Sequence, residues 1–575
     1  MAIHNHEIAR ALKKLSDLLE IEGASAFRIR AYRNAAQTIR EMSKELADMV
    51  NKGEELSGLP DIGKNMASKI KDFVQTGKLE QLEALQQKIP VNTEELLQIS
   101  QLGNKSIKVL YEQLGVTNMD QLKKVAEAGR IEALKGFGKK TQQRILDEIH
   151  KLSSGETQGR FKWAIAEQII DSYIQYIAAF EGVASVDAAG SYRRKKDTVG
   201  DMDLLVVSSN APELMEHFVN YEEVAEIIAQ GETKSSVILR SGLQVDLRVI
   251  PSKSYGAAML YFTGSKAHNV AIRRIAQEKG FKINEYGIYE GDQWRAGKTE
   301  TEMYQHIGLS FIEPELRENR GEVQAARNHT LPNLLTQEDI KGDLQSHTKA
   351  SDGRYTLEEM VNGARQKGYS YFAITDHSKR VTMANGLDEK RLAQHIEHID
   401  RLNEKLKDIQ VLKSVEVDIL QDGSLDLSDD ILEKLDIVVV AIHYNMNLSR
   451  EKQTYRVLKA MENPYFHIMA HPTGRLIGKR AGYDIDMEKV LDAAAQKGCC
   501  MEINAAPDRL DLSDIYAKMA KDKGVKIAIS TDAHALDNLN YMRFGVNQAR
   551  RAWLEPKDVI NTYPWKEVQQ LIRTT

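Results

Sequence analysis

The sequence predicts a multidomain chain of α+β and α/β class: a helical N-terminal region, a mixed α+β unit and a C-terminal distorted (βα) barrel. Length, helical periodicity and βα alternation lead to this. At roughly 150 residues per domain, 575 residues correspond to about four units. Over roughly the first 155 residues, apolar side chains recur at helical spacing, as in IARALKKLSDLLEI and EELLQISQLGNKSIKVLYEQLG, and no β-branched run has strand length. Past residue 335, short apolar strands alternate with amphipathic helices: YFAITDH, VLKSVEVDI, LDIVVVAIHY, FHIMAHP, CCMEINAA and VKIAISTDAH. Repeats of that kind build a parallel sheet or a barrel.

Between these regions, FKWAIAEQIIDSYIQYIAAF reads as a helix, and VASVDAAG, DLLVVS and SSVILRSGLQVDLRVI read as strands. Residues 251–318 are mixed, and the polar stretch 319–335 with its single Pro reads as a linker. Hydrophobic residues at 42% and charged residues at 28% exclude a disordered, collagenous or fibrous chain. Cys499 and Cys500 are adjacent and cannot form a disulfide framework, so a reducing cytoplasmic compartment is expected. The opening MAIHNHEIARALKKL carries charges where a signal peptide needs an apolar core, and the longest apolar run, LDIVVVAI, has strand length rather than membrane-span length. A net charge of -5 does not by itself nominate nucleic acid as a partner. Local motifs do.

One motif occurs three times: an apolar residue, a small turn, Gly, then a helix start with Lys. The copies are Leu59-Pro-Asp-Ile-Gly63-Lys64, Ile99-Ser-Gln-Leu-Gly103-Asn-Lys105 and Leu134-Lys-Gly-Phe-Gly138-Lys139. This is the helix–hairpin–helix pattern. Gly is expected to permit the tight turn, and the next helix N-terminus offers free N–H groups to a phosphate. A single copy reads equally as a packing corner between helices; three favour binding to the DNA backbone.

A second constellation is Gly190-Ser191-Tyr192-Arg193-Arg194 followed by Gly200-Asp201-Met202-Asp203. Strand periodicity puts Asp201 and Asp203 on one face, and Asp246 lies on another expected strand. Three converging carboxylates repel one another unless cations hold them. Hard oxygen ligands suit Mg²⁺, and a pair of such ions can activate a hydroxyl and stabilise a leaving pyrophosphate. The Gly-Ser turn and Arg194 supply donors for phosphate oxygens.

A third group lies at the ends of the C-terminal strands: His347, Asp352, His377, Glu416, His443, His471, Asp532 and His534. Strand ends are where (βα) barrels carry their chemistry, and imidazole with carboxylate suits Zn²⁺, Mn²⁺ or Fe²⁺.

GSYRR, GDMDLLVV, VDLRVI, YFTGS and INEYGIY, in this order, resemble a family X DNA polymerase, the group that includes polymerase beta. The C-terminal ligand set resembles the PHP (polymerase and histidinol phosphatase) domain that bacterial members commonly carry, so the resemblance spans essentially the whole chain. It implies a lyase-type helical domain over 1–85, a helical DNA-binding (fingers) subdomain over 86–155, a nucleotidyltransferase palm over 156–250, a thumb over 251–318, a linker over 319–335 and the PHP domain over 336–575. It further implies template-directed filling of short gaps in DNA repair, including base excision repair, with Mg²⁺ or Mn²⁺ at the polymerase site. Asp201, Asp203 and Asp246 would bind the metals, Asp246 also helping to activate the primer 3′-OH. Gly190, Ser191 and Arg194 would hold the triphosphate of a deoxynucleotide. Tyr261, Phe262 and Gly264, within YFTGS, would bracket its sugar, although Tyr261 and Phe262 read equally as core aromatics. Asn269 would reach the minor-groove edge and Arg273 the template side.

Lys69 aligns with the family's Schiff-base lysine and Tyr32 with its supporting tyrosine. Arg28 stands for the usual basic helper, and Asn65 replaces a second Lys. Lys69 also reads as a solvated or phosphate-binding lysine. In the PHP region the resemblance implies a metal cluster with 3′→5′ exonuclease and, in some members, abasic-site endonuclease activity. The usual His-x-His is Gln345-Ser346-His347 here, and Gln is the poorer ligand. A small-molecule phosphoesterase or a degenerate structural module remain alternatives for that region. The expected partners are gapped or nicked duplex DNA and deoxynucleoside triphosphates, with no membrane and a monomeric chain that associates with the nucleoid when bound to DNA.

Overall fold

A computed structural model of the chain describes residues 5–41, 46–59, 61–97, 99, 102–134, 136–153 and 160–572. Pro60, Ser100, Gln101 and Lys135, each within one of the three hairpin motifs, lie outside the described residues. The chain forms two compact units, Met1–Gly159 and Arg160–Thr575.

Among the described residues of the first unit, all regular structure is helical, from Asn5–Glu22 to Lys139–Ser153. The repeat ALKKLSDLLEI puts Leu12, Leu15, Leu18 and Leu19 on one stripe, and these side chains are buried. The hairpin glycines differ from expectation. Gly63 and Gly103 cap the helices Lys64–Thr76 and Asn104–Leu114 in extended conformations that any residue adopts. The left-handed positions are Asp61 (φ 59°) and Gly136 (φ 90°). What Gly63, Gly103 and Gly138 provide is room: a Cβ there meets nothing within 4 Å.

The second unit begins with a five-stranded sheet in the order Val183–Ala188, Asp201–Ser208, Gln244–Val249, Lys234–Leu239, Val224–Gln230. Asp201–Ser208 runs parallel to Gln244–Val249, and the other pairs are antiparallel. Met202, Leu204 and Val206 alternate inward with Val245 and Leu247 and pack under the helix Trp163–Ala178. The helices Tyr255–Thr263 and Lys266–Glu278 and a three-stranded sheet follow. The polar stretch 319–335, read as a linker, contains the helix Glu322–Arg327. Its Glu322 is fully buried, pairs with His268 Nδ1 at 2.7 Å and accepts the N–H groups of Asn319 and Arg320. Part of that stretch is polar because it serves a buried pair.

Seven parallel strands then follow in sequence order, from Gly342–Asp343 to Ile527–Ser530. A parallel bridge between Ser346 and Ala533, with Thr531 N donating to Asp343 Oδ1, ties the last strand back to the first and nearly closes a barrel. Near-continuous apolar strands such as Ile437–Ala441 fit burial on both faces. The C-terminal ends of the strands converge at one mouth.

Candidate functional site

In the sheet of the second unit, the parallel register sets Asp203 directly beside Asp246, with Asp201 two residues earlier on the same strand face. Gly190 sits against this face with φ 62°; a Cβ there would meet Asp203 Oδ2 at 2.9 Å, so glycine is required. Asp246 accepts from Gln244 Nε2 at 3.0 Å, and Lys234 Nζ stands 3.8 Å away. Burial, then Asp201 and Asp246, push the Asp203 carboxyl up to about 6. A cation beside these carboxylates would relieve that penalty.

Around them, Ser191 is half-buried in the helical turn Gly190–Arg193. Arg193 locks two elements together, donating to Thr263 Oγ1 and, bidentately, to Glu300. Arg194 Nε donates to Glu318 Oε1 at 3.1 Å and Nη1 to the Thr263 carbonyl. Phe262 lies under the Arg248 guanidinium at 4.5 Å and edge-on to Tyr261; Tyr261 is exposed, whereas Phe262 is partly buried against the cluster of Leu205, Ile250 and Met259. Gly264 (φ 69°) ends the helix Tyr255–Thr263. Asn269 Nδ2 donates to the Tyr261 carbonyl at 2.6 Å, and Arg273 Nε donates to the Asn269 carbonyl.

At the barrel mouth, all eight His and carboxylate residues are brought together. Glu416 is the hub: His377, His443, His471 and His347 place ring nitrogens 3.0–3.5 Å from its oxygens. His347, Asp352, His377 and His534 form one group whose ligand atoms lie within 4.8 Å of one another. His377, Glu416 and His443 form a second, and His347, Glu416 and Asp532 a third.

The electrostatics at the mouth call for positive charge. Burial alone would lower His443 and His534. For His443, Glu416 and Asp418 win and push it up to about 10; for His534, Asp352 and Asp532 push it up to about 9. His471 (φ 29°) and Asp532 (φ 54°) hold strained left-handed backbone, which persists where the surroundings over-determine it. Gln345 is fully buried, and neither of its amide atoms has a hydrogen-bond partner; the same is true of His347 Nδ1 and Glu502 Oε1. The buried acceptors left open there, Gln345 Oε1, His347 Nδ1 and Glu502 Oε1, around a mixed imidazole–carboxylate set fit divalent cations.

Several residues here escape sequence reasoning. Asp418 accepts from His443 N and Nδ1, Glu502 accepts the His471 N–H at 2.7 Å, and Asn504 donates to Asp532. These orient His443, His471 and Asp532, and their only signal was position at a strand end. Arg509 Nε lies 3.7 Å from Asp532 and lines a cavity of about 300 Å³ over the ligand set. An arginine in the loop after CCMEINAA has no spacing to announce it.

In the first unit, Lys69 Nζ and Tyr32 Oη both donate to Gln81 Oε1 at 2.8 Å, so the two meet through one amide. Arg28 and Asn65 are exposed. Lys64, Lys105 and Lys139 are exposed beside Gly63, Gly103 and Gly138. At the second hairpin, Asn104 is buried and donates to Asp17 and Glu20, so acidic groups crowd that helix start.

Family models match the chain as a helix-hairpin-helix domain over 3–79, a SAM-like helix-hairpin-helix tandem over 93–151, a DNA polymerase beta palm over 164–276, a DNA polymerase beta thumb over 258–318 and a PHP domain over 343–506. The chain is 36% identical to the DNA polymerase/3'-5' exonuclease PolX of Bacillus subtilis (strain 168), across 99% of this chain and 100% of that protein. It is 32% identical over 231 residues to a probable phosphatase of Thermoanaerobacter sp. (strain X514), covering 38% of this chain and 89% of the relative. A probable phosphatase of Caldanaerobacter subterraneus is 33% identical over 206 residues, 33% of this chain and 75% of the relative.

Proposed function

Because the chain belongs to the family X DNA polymerases that carry a PHP domain, we propose that it fills short gaps during DNA repair, base excision repair included, and trims 3′ ends at the barrel. The observation that carries the polymerase reading is the register pairing Asp203 with Asp246 beside the Gly190-Ser191 turn. Asp201, Asp203 and Asp246 would hold Mg²⁺ or Mn²⁺. The barrel histidines and carboxylates, with the Gln345 amide oxygen as a weaker donor, would hold Zn²⁺, Mn²⁺ or Fe²⁺. Bound there, such cations would supply Lewis acidity to a hydroxyl or water at each site. Asp246 accepts the primer 3′-OH proton. Ser191, Arg194 and the backbone at Gly190 orient the triphosphate, while the turn after Tyr261 and Phe262 excludes a ribose 2′-OH. Asn269 and Arg273 face the base pair being formed. At the barrel, Arg509 holds the phosphodiester, and Asp418 and Glu502 keep His443 and His471 in place.

The substrates are gapped or nicked DNA and deoxynucleoside triphosphates, and the chain works as a cytoplasmic monomer. No described helix is long and apolar enough to cross a membrane. Lys69, beside Tyr32, is the nucleophile of a deoxyribose-phosphate lyase. Borohydride trapping of a Schiff base on a 5′-deoxyribose-phosphate end, lost in Lys69→Ala, tests that role; trapping that persists removes it.

Primer extension on gapped DNA tests the polymerase. Extension with Mg²⁺ or Mn²⁺ that disappears in Asp246→Ala supports it, and undiminished extension in that variant overturns it. The probable phosphatases among the relatives motivate a second reading, in which the barrel cleaves small phosphate esters. Hydrolysis of single-stranded DNA against a small ester, with His377→Ala as control, separates the two: cleavage of the ester alone overturns the exonuclease.

A further inference from the structure

Arg551 ends the helix Met542–Arg551, which packs on the barrel, yet its guanidinium leaves the barrel. It is almost fully buried. Nη1 donates to the Arg194 carbonyl at 2.8 Å and to Glu318 Oε1 at 3.2 Å, and Nη2 donates to Asp514 of the barrel at 2.5 Å. Glu318 Oε1 is the same oxygen that accepts Arg194 Nε. Arg194 Nη1 in turn reaches the Thr263 carbonyl and stands 3.3 Å from where a Gly264 side chain would begin. An unbroken chain of charge-assisted bonds therefore runs from Asp514 through Arg551 and Glu318 to Arg194 and the Thr263-Gly264 turn.

Two features make this more than incidental packing. Arg551 grips Arg194 twice, at its backbone carbonyl and through the carboxylate that holds its side chain, which fixes both the origin and the direction of the guanidinium. The network is also strongly bound: burial alone would raise Glu318, but Arg551, Lys196 and Arg194 outweigh it and bring the carboxyl down to about 2. Arg194 Nε and Nη1 are occupied, leaving Nη2 without a partner among the described residues.

We propose that Arg551 of the barrel is a positioning residue for nucleotide binding: with Glu318 it sets the Arg194 guanidinium, so the polymerase site is completed by the exonuclease domain. This rests on the reading of Arg194 as a triphosphate ligand. A barrel displaced from the palm would loosen Arg194 and weaken nucleotide binding without touching the carboxylates that carry the chemistry.

The test is steady-state gap filling by the full-length chain, measuring KM for the deoxynucleotide and kcat in Arg551→Met, Arg551→Lys, Glu318→Gln and Arg194→Lys. The exonuclease rate of each preparation serves as a check on folding. Loss of one charge-assisted contact predicts a KM about tenfold higher in Arg551→Met, with kcat changed by less than about threefold. Arg551→Lys recovers part of the loss, Glu318→Gln raises KM several-fold, and exonuclease activity stays near wild type in all three. If Arg551→Met loses both activities, Glu318→Gln decides, because it leaves Arg551 paired with Asp514 and keeps an amide oxygen to accept from Arg194 Nε. An unchanged KM in Glu318→Gln, or in an exonuclease-active Arg551→Met, overturns the proposal while a raised KM in Arg194→Lys keeps the ligand reading. An unchanged KM in Arg194→Lys overturns both at their shared premise.

Discussion

Asp203 lies between Asp201 and Asp246 and carries the cost of that position. Its carboxyl is raised from 3.8 to about 6. A raised acid is charged at a penalty above about 6, and the penalty fades as pH falls from 6 toward 3.8. A shift of that size corresponds to about 3 kcal/mol at neutral pH. Asp203→Asn is therefore expected to raise the melting temperature of the metal-free protein at pH 7.5 by a few degrees, to do so far less at pH 4.5, and to abolish extension. A melting curve unchanged or lowered at pH 7.5 would contradict this penalty, which burial and the two neighbouring carboxylates share. Arg509 makes the complementary case at the barrel. Arg509→Ala should raise KM for single-stranded DNA degradation about tenfold or more, since a charged contact to phosphate is lost, and leave gap filling unaffected. Equal exonuclease kinetics in both proteins would remove Arg509 from the site. Gln345 shows where sequence stops. The residue type announced a poor ligand, but only the fold shows its amide buried with both atoms open.

The elements were legible to different depths. Period-two alternation in GDMDLLVV was enough to put two carboxylates on one face, but which strand would bring Asp246 alongside depends on sheet order, set by contacts far apart in sequence. Strand-end histidines were readable because a parallel barrel gathers its C-terminal ends at one mouth. Asp418 and Glu502 were not, since a carboxylate at a buried strand end looks the same whether it binds a metal or orients a ligand. The hairpins were found by pattern and misread in mechanism: Gly63 supplies space rather than a left-handed turn. Gly63→Ala fits the backbone and meets no atom, so stability should hold within about 0.5 kcal/mol while affinity for gapped DNA falls several-fold as the methyl crowds the phosphate. A titration showing equal affinity would mean that this helix start does not touch DNA. The same change at Gly103 should matter less, because Asp17 and Glu20 already crowd that corner.

Across the whole molecule, a net charge of -5 looked unfavourable for a DNA enzyme. Six of the 83 acidic residues, Asp201, Asp203 and Asp246 in the palm and Asp352, Glu416 and Asp532 at the barrel mouth, stand where a cation would offset them, and backbone amides at helix starts bind phosphate without formal charge. Few surplus cations should give modest, salt-sensitive affinity. Sequence also gave no view of the join between palm and barrel, because Glu318 and Arg551 lie 233 positions apart and meet only in the folded chain. The central claim is that one chain carries two separate metal-dependent sites, each with its own chemistry, acting on the same primer end. A single 5′-labelled gapped substrate, incubated with wild type, Asp246→Ala and His377→Ala, tests it in one gel. Wild type should both lengthen and shorten the primer, Asp246→Ala should only shorten it, and His377→Ala should only lengthen it. If either variant loses both activities, or keeps both, the two-site account is contradicted.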